Sequence, residues 1–341
     1  MKLTEDPSAS SRKKDHIDLA FQSKLTAAQL DNRFSYEPLL AAHPKGIAGY
    51  PKGFLNQQIK APIWVSSMTG GTEMARIINT NLAKACQEFG LGMGLGSCRS
   101  LLDSDDTLAD FNVRRHIGKQ PLYANLGIAQ VEQLIAAQQT DKILRLLEKL
   151  SADGLIIHVN PLQEWLQEEG DQITISPIET ISHIVREMDI SVIVKEVGQG
   201  FGRESLRALM RLPIDAIEFA AMGGTNFSML EMIRGDELKK DAFGCMAYLG
   251  HDAADMISVI NELIPEMAHE VNCHNFIISG GMGGFLDGYH AIQSLRHNAI
   301  YGQASAFLKH AQGSYEELQS YVKLQIEGLQ FASAYLRVKE S

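Results

Sequence analysis

The chain has 341 residues, 45% of them hydrophobic, with 31 basic and 41 acidic side chains and a formal net charge of -10. That balance argues against a general nucleic-acid binder, which carries a basic surface, but allows a small anionic ligand held by a few local cations. No apolar run is long enough to cross a bilayer. Residues 1–16 are polar without a signal core, and Cys86, Cys98, Cys245 and Cys273 have neither metal nor disulfide spacing, so the chain reads as cytoplasmic with no membrane partner.

The first ~60 residues hold few strand-like runs and read as a cap or flap, 1–60, ahead of a barrel at 61–341. On residue type alone, Arg12-Lys13-Lys14 is a solvated charged run. Short apolar runs then follow at Ile63–Ser67, Leu91–Leu95, Leu122–Asn125, Leu155–His158, Val192–Lys195, Ala216–Phe219, Phe276–Ser279 and Ala299–Tyr301. Between most of them lie segments of helical period: Ala75–Phe89, Val131–Leu150, Ile178–Met188, Glu204–Arg211, Ala253–Leu263 and Gly288–His297. Phe227–Asp252 reads as a long loop, a lid or an ordered loop with a short helix, and Tyr315–Tyr335 as a final outer helix. Eight strand–helix repeats indicate an α/β fold, the (β/α)8 TIM barrel. A doubly wound sheet has the same alternation. The barrel is preferred because nearly every run ends in polar or glycine-rich residues, which a barrel gathers on one face.

Four glycine clusters fall at strand ends: Met68-Thr69-Gly70-Gly71, Gly94-Leu95-Gly96-Ser97, Gly223-Gly224-Thr225 and Gly280-Gly281-Met282-Gly283-Gly284. Glycine lets the backbone approach a ligand closely, and N–H groups beside a helix N-terminus bind phosphate. The last cluster, with Gly302-Gln303-Ala304, falls where barrels commonly bind phosphate. The run Leu155–Ile157 leads into His158, Asn160, Gln163 and Glu164, with Pro161 preventing an early helix start. Lys195 ends the fifth run, aimed at the barrel mouth or paired with Glu196 or Glu218.

Together with Arg12-Lys13-Lys14-Asp15-His16, Gly96-Ser97-Cys98-Arg99, Ala124-Asn125-Leu126-Gly127, Glu169-Gly170-Asp171 and Val194-Lys195-Glu196-Val197-Gly198, these segments carry a resemblance. From about Arg12 to Ala304 the chain resembles type 2 isopentenyl-diphosphate isomerase, the FMN-dependent isomerase family of isoprenoid biosynthesis. The resemblance implies that Arg12, Lys13, Ser97, Cys98, Arg99, His158, Asn160 and Gln163 meet the substrate, isopentenyl diphosphate, with Gln163 beside the reacting carbons as the catalytic residue. It implies that Met68, Thr69, Gly70, Ser97, Asn125, Lys195 and Thr225 line FMN, and that Gly281, Met282, Gly283, Gln303 and Ala304 take its phosphate. Glu164 would help to hold Mg2+, NADPH would reduce the flavin, and the assembly would be a homotetramer or homo-octamer. The chain departs from the pattern at Cys98, where members usually carry glutamine, and at Gly283-Gly284, where the seventh loop usually holds an arginine. Another FMN-dependent TIM-barrel oxidoreductase, such as a 2-hydroxy-acid oxidase, and a non-catalytic flavoprotein are the rival expectations.

Overall fold

The computed structural model describes residues 9–50, 53–55, 57–67, 69 and 73–339. Eight parallel strands close into a barrel: β1 (Ile63–Val65), β2 (Gly92–Gly94), β3 (Leu122–Gly127), β4 (Gly154–His158), β5 (Ser191–Lys195), β6 (Ala216–Glu218), β7 (Asn275–Ser279) and β8 (Asn298–Gln303). Each strand pairs with its sequence neighbour, and β8 closes on β1. Both faces of such a sheet are covered, so strands such as Leu155-Ile156-Ile157 and Val192-Ile193-Val194 are apolar throughout. The eight strands lie within one to two residues of the runs expected from the sequence.

Side chains alternate between two cores. Facing outward, Ile63, Val65, Leu155, Ile157, Val192, Val194, Phe276 and Ile278 pack under the helices. Facing inward, Trp64, Tyr123, Ile156, Ile193, Ala216, Ile277 and Ile300 fill the barrel, joined by Phe54, Leu55 and Ile59. Phe54 belongs to a small antiparallel pair, Gly53–Phe54 with Gln57–Gln58, which seals the barrel interior at one end.

Two expectations are corrected. Val131–Leu150 is two helices, Ile128–Ala136 and Asp141–Leu150, parted where Gln138 adopts φ 56°. Phe227–Asp252 is mostly helical: Phe227–Arg234, Glu237–Phe243 and a 3-10 turn, Gly244–Tyr248. Each of the two α-helices starts at a side-chain cap, Asn226 accepting from Met229 N–H and Asp236 from Lys239 N–H. The segment before the barrel contributes a helix, Ala9–Leu19, and a strand, Phe34–Tyr36, paired antiparallel with Leu336–Val338.

Candidate active site

Two residues beyond the apolar interior layer, each strand presents its next inward position. These are Ser66, Gly94, Asn125, His158, Lys195, Glu218, Ser279 and Gly302, so a polar floor lies on the apolar plug. A Cβ on Gly302 would lie 2.5 Å from Ser66 Oγ and 2.8 Å from Ser279 Cβ, so only glycine leaves this part of the floor open. Glu218 is fully buried, accepting from Ser279 Oγ at 3.3 Å. Its other carboxylate oxygen and the Ser66 and Ser67 hydroxyls are buried without a hydrogen-bond partner. Unpartnered buried polar groups are costly, and these three line one cavity with Lys195, Gly223–Thr225, Gly280–Gly283 and Gln303–Ser305. The donor and acceptor set suits a polar ring edge at the floor and an anion at the glycine loops.

Lys195 is buried, and its Nζ donates to Glu196 O at 2.8 Å. The Glu196 side chain turns away and fixes the loop after β5. One carboxylate oxygen accepts from the N–H groups of Val197, Gly198, Gln199 and Gly200 at 2.5–3.0 Å. His158 Nδ1 lies 2.8 Å from Asn125 Oδ1, and Asn125 Nδ2 donates to Leu95 O at 3.0 Å. That bonding assigns the proton to Nδ1. Burial, reinforced by the Lys195 charge, pushes the His158 pKa down to about 3, so the imidazole is neutral near pH 7.

After β4, Pro161 occupies the first position of a short helix, Pro161–Leu166, where its missing N–H costs nothing. Gln163 and Glu164 therefore stand on a helical turn rather than in a loop. Asn160 Nδ2 donates to Glu164 Oε1 at 2.8 Å and to Gln163 Oε1 at 3.2 Å. Glu164 Oε2 accepts Asp171 N–H at 2.8 Å, and Asp171 binds Arg99 at 2.6 Å and Gln130 at 2.8 Å. In the other direction Gln163 Nε2 donates to Glu231 Oε1 at 3.3 Å, and Glu231 also accepts from Gln167 and Arg234. One chain of hydrogen bonds thus runs from Arg99 to Arg234 past the floor. No cluster of three or more metal-capable side chains occurs among the described residues. Glu164 fits a divalent cation only if other oxygens, such as a diphosphate's, complete the coordination.

The phosphate-type loop is built glycine on glycine. Gly280 (φ 92°) and Gly281 (φ 73°) need the left-handed region, and a Cβ on Gly280 would fall 2.0 Å from Ala221 O. The helix Phe285–Ser294 starts directly beyond Gly284 with no capping side chain, leaving first-turn N–H groups for an anion.

Of the residues expected in the site, Asn125, His158, Asn160, Gln163, Glu164 and Lys195 come together as described. Thr225, Gly281, Met282, Gly283, Gln303 and Ala304 line the cavity. Ser97 and Arg99 are exposed at the end of β2, Thr69 is half-buried, and Met68 and Gly70 lie outside the described residues. Arg12 and Lys13 lie exposed on the helix Ala9–Leu19.

Two assignments change. Cys98 is fully buried in the core with Sγ on Gly96 O, and burial pushes its thiol up to about 12; its side chain does not face a diphosphate. Both ends of the Gln303 side chain are engaged, Nε2 with Met282 O at 3.0 Å and Oε1 with Tyr321 OH at 3.3 Å. Gln303 thus shapes the phosphate loop, with one amide N–H and its backbone left to meet an anion. The sequence reading did not place Ser66, Glu218, Ser279 and Glu231 in the site, and named Glu218 only as an alternative partner for Lys195. Counting two residues on from each inward apolar residue finds the first three.

No family model matches the chain. It is 33% identical over 323 residues to an isopentenyl-diphosphate delta-isomerase of Rickettsia felis, covering 93% of this chain and 90% of the relative. A protein of the same name from Pseudescherichia vulneris is 35% identical over 329 residues, covering 94% and 91%. Among solved structures, flavocytochrome b2 with sulfite bound superposes with a TM-score of 0.59 at 11% identity, covering 88% of this chain and 71% of that one. A mandelate oxidase with (S)-mandelic acid gives 0.55 at 14% identity, covering 91% and 87%. At such identities the two structures establish the shared barrel alone.

Proposed function

The chain belongs to the isopentenyl-diphosphate delta-isomerase family, and from that premise we propose that it interconverts isopentenyl and dimethylallyl diphosphate over an FMN seated on the polar floor. The observation that carries this reading is the buried set of Ser66, Ser67 and Glu218 oxygens without partners, beside Lys195 and next to the glycine loop. A ring with donor and acceptor edges answers the first, and a phosphate answers the second. Reduced FMN, when bound, would supply proton-transfer chemistry next to an electron-rich ring, with NADPH as its reductant.

The chain's own residues then act as follows. Lys195 holds negative charge at the floor as a compact ammonium. Ser97, Arg99, His158 and Asn160 receive the diphosphate, joined by Arg12 and Lys13 from the N-terminal helix. Glu164 would help to hold Mg2+, which would supply positive charge beside the diphosphate. Together these contacts would hold the substrate by its diphosphate and contribute through positioning. Gln163 orients the second proton transfer. Its amide is too weak a base to act alone, but its hydrogen bond to Glu231 puts a carboxylate one step from the reacting carbons.

The test is anaerobic turnover with isopentenyl diphosphate, Mg2+, FMN and a catalytic amount of NADPH. Dimethylallyl diphosphate in many-fold excess over NADPH supports a redox-neutral isomerase. Stoichiometric oxidation of a substrate would assign the chain to oxidoreductase chemistry instead.

A further inference from the structure

Among the described residues lining the cavity, Lys195 is the single cation, and it sits at the floor rather than at the glycine loop. The loop itself, Gly280–Gly284, carries no charge. Just beyond it, in the first turn of the helix Phe285–Ser294, stands Asp287, whose Oδ2 accepts Gly283 N–H at 3.0 Å. A carboxylate therefore occupies one of the loop donors and opposes any anion bound there. Its other oxygen, Oδ1, is held at 2.7 Å by Arg33 NH1. Arg33 comes from the segment before the barrel, some 250 residues away.

We infer that Arg33 is a positioning residue for the FMN phosphate site: it holds Asp287 and offsets part of its charge, which lowers the repulsion a dianionic phosphate meets at Gly280–Gly284. This rests on the flavin reading above. The guanidinium is held as such a role requires. It grips Asp31 through Nε at 2.9 Å and NH2 at 2.7 Å, and lies 5.3 Å from the centre of the Phe34 ring. Its backbone oxygen accepts Lys339 N–H at 3.0 Å, and the next residues form the strand paired with Leu336–Val338. Two carboxylates share one guanidinium, so the Asp31–Arg33–Asp287 group carries one net negative charge and would carry two without Arg33. Arg33 and Asp287 side chains remain 37% and 34% exposed, open enough for an incoming phosphate to compete for Gly283 N–H. The same cavity holds the buried, unpartnered hydroxyls of Ser66 and Ser67, a second sign of a ligand independent of the helix end.

The experiment titrates the flavin-stripped full chain with FMN and with riboflavin, which lacks the phosphate, by flavin fluorescence. Wild type, Arg33→Gln and Arg33→Lys are compared, each with a thermal melt. Arg33→Gln is expected to weaken FMN roughly tenfold or more and to leave riboflavin within about twofold. Arg33→Lys, which keeps the charge, retains most of the FMN affinity. The inference is overturned if FMN and riboflavin weaken together, which would make Arg33 a strap for the N-terminal strand, or if neither changes. If the wild type itself fails to prefer FMN over riboflavin, the phosphate reading of the loop is wrong and the role of Arg33 falls with it.

Discussion

His158 should make folding stability depend on pH in a window where few other groups titrate. Its imidazole is pushed down to about 3 in the folded state by burial and by Lys195, against about 6.5 in an unfolded chain. The depressed value gives the sign. Above pH 6.5 neither state holds the proton and stability is whole. As pH falls from 6.5 toward 3 only the unfolded chain takes it up, so stability is lost progressively, and below 3 the loss stops growing. At about 1.4 kcal/mol per pH unit, the fall from pH 6.5 to 5 costs about 2 kcal/mol, above the range where most carboxylates protonate. The assay is urea unfolding across pH 5–7 for the wild type and His158→Gln, whose amide can still donate to Asn125. The variant should lose about 2 kcal/mol less over that interval. Equal losses in the two proteins, or an imidazole found by NMR to titrate near 6.5, would refute the reasoning.

Gly302→Ala should place a methyl 2.5 Å from Ser66 Oγ, with a stability loss of about 1–3 kcal/mol in urea and loss of bound flavin; flavin retained at full occupancy would mean that the floor is not the ring site. Glu196→Ala removes the acceptor of four backbone N–H groups in the loop after β5, and unfolding free energy should fall by about 2 kcal/mol, with proteolysis newly directed to residues 196–200. Glu164→Gln should abolish the Mg2+ response of turnover while leaving flavin content unchanged; an unaltered metal titration would remove Glu164 from the metal site.

The barrel was legible because a parallel strand covered on both faces leaves an uninterrupted apolar signal, as in Phe276-Ile277-Ile278. The site was legible where its residues are conspicuous after such a run, as His158 and Lys195 are. Ser66 and Ser279 are small and read as ordinary turn residues, and Glu218 hides inside the apolar stretch Ala216–Ala221. Their role depends on the barrel closing, since only then do eight strand ends share a floor. Glu231 was missed because the capped helix carrying it passed for a loop. The break at Gln138 carries no glycine or proline, so local sequence gave no warning. Cys98 shows the opposite error: its neighbours Ser97 and Arg99 face outward, while its own side chain turns into the core.

The pairing of Phe34–Tyr36 with Leu336–Val338 also sets a timetable. During synthesis the first of these strands emerges early and stays without its partner until about 300 further residues have been made, roughly 15–60 s at ordinary rates of translation. Closing so long a loop also makes the pairing late in any refolding from denaturant. Arg33 adjoins that strand, so Asp287 meets its counter-charge only after the rest of the barrel is in place. The nascent barrel would then hold FMN less tightly than the finished one, with the last part of its phosphate affinity arriving with that strand.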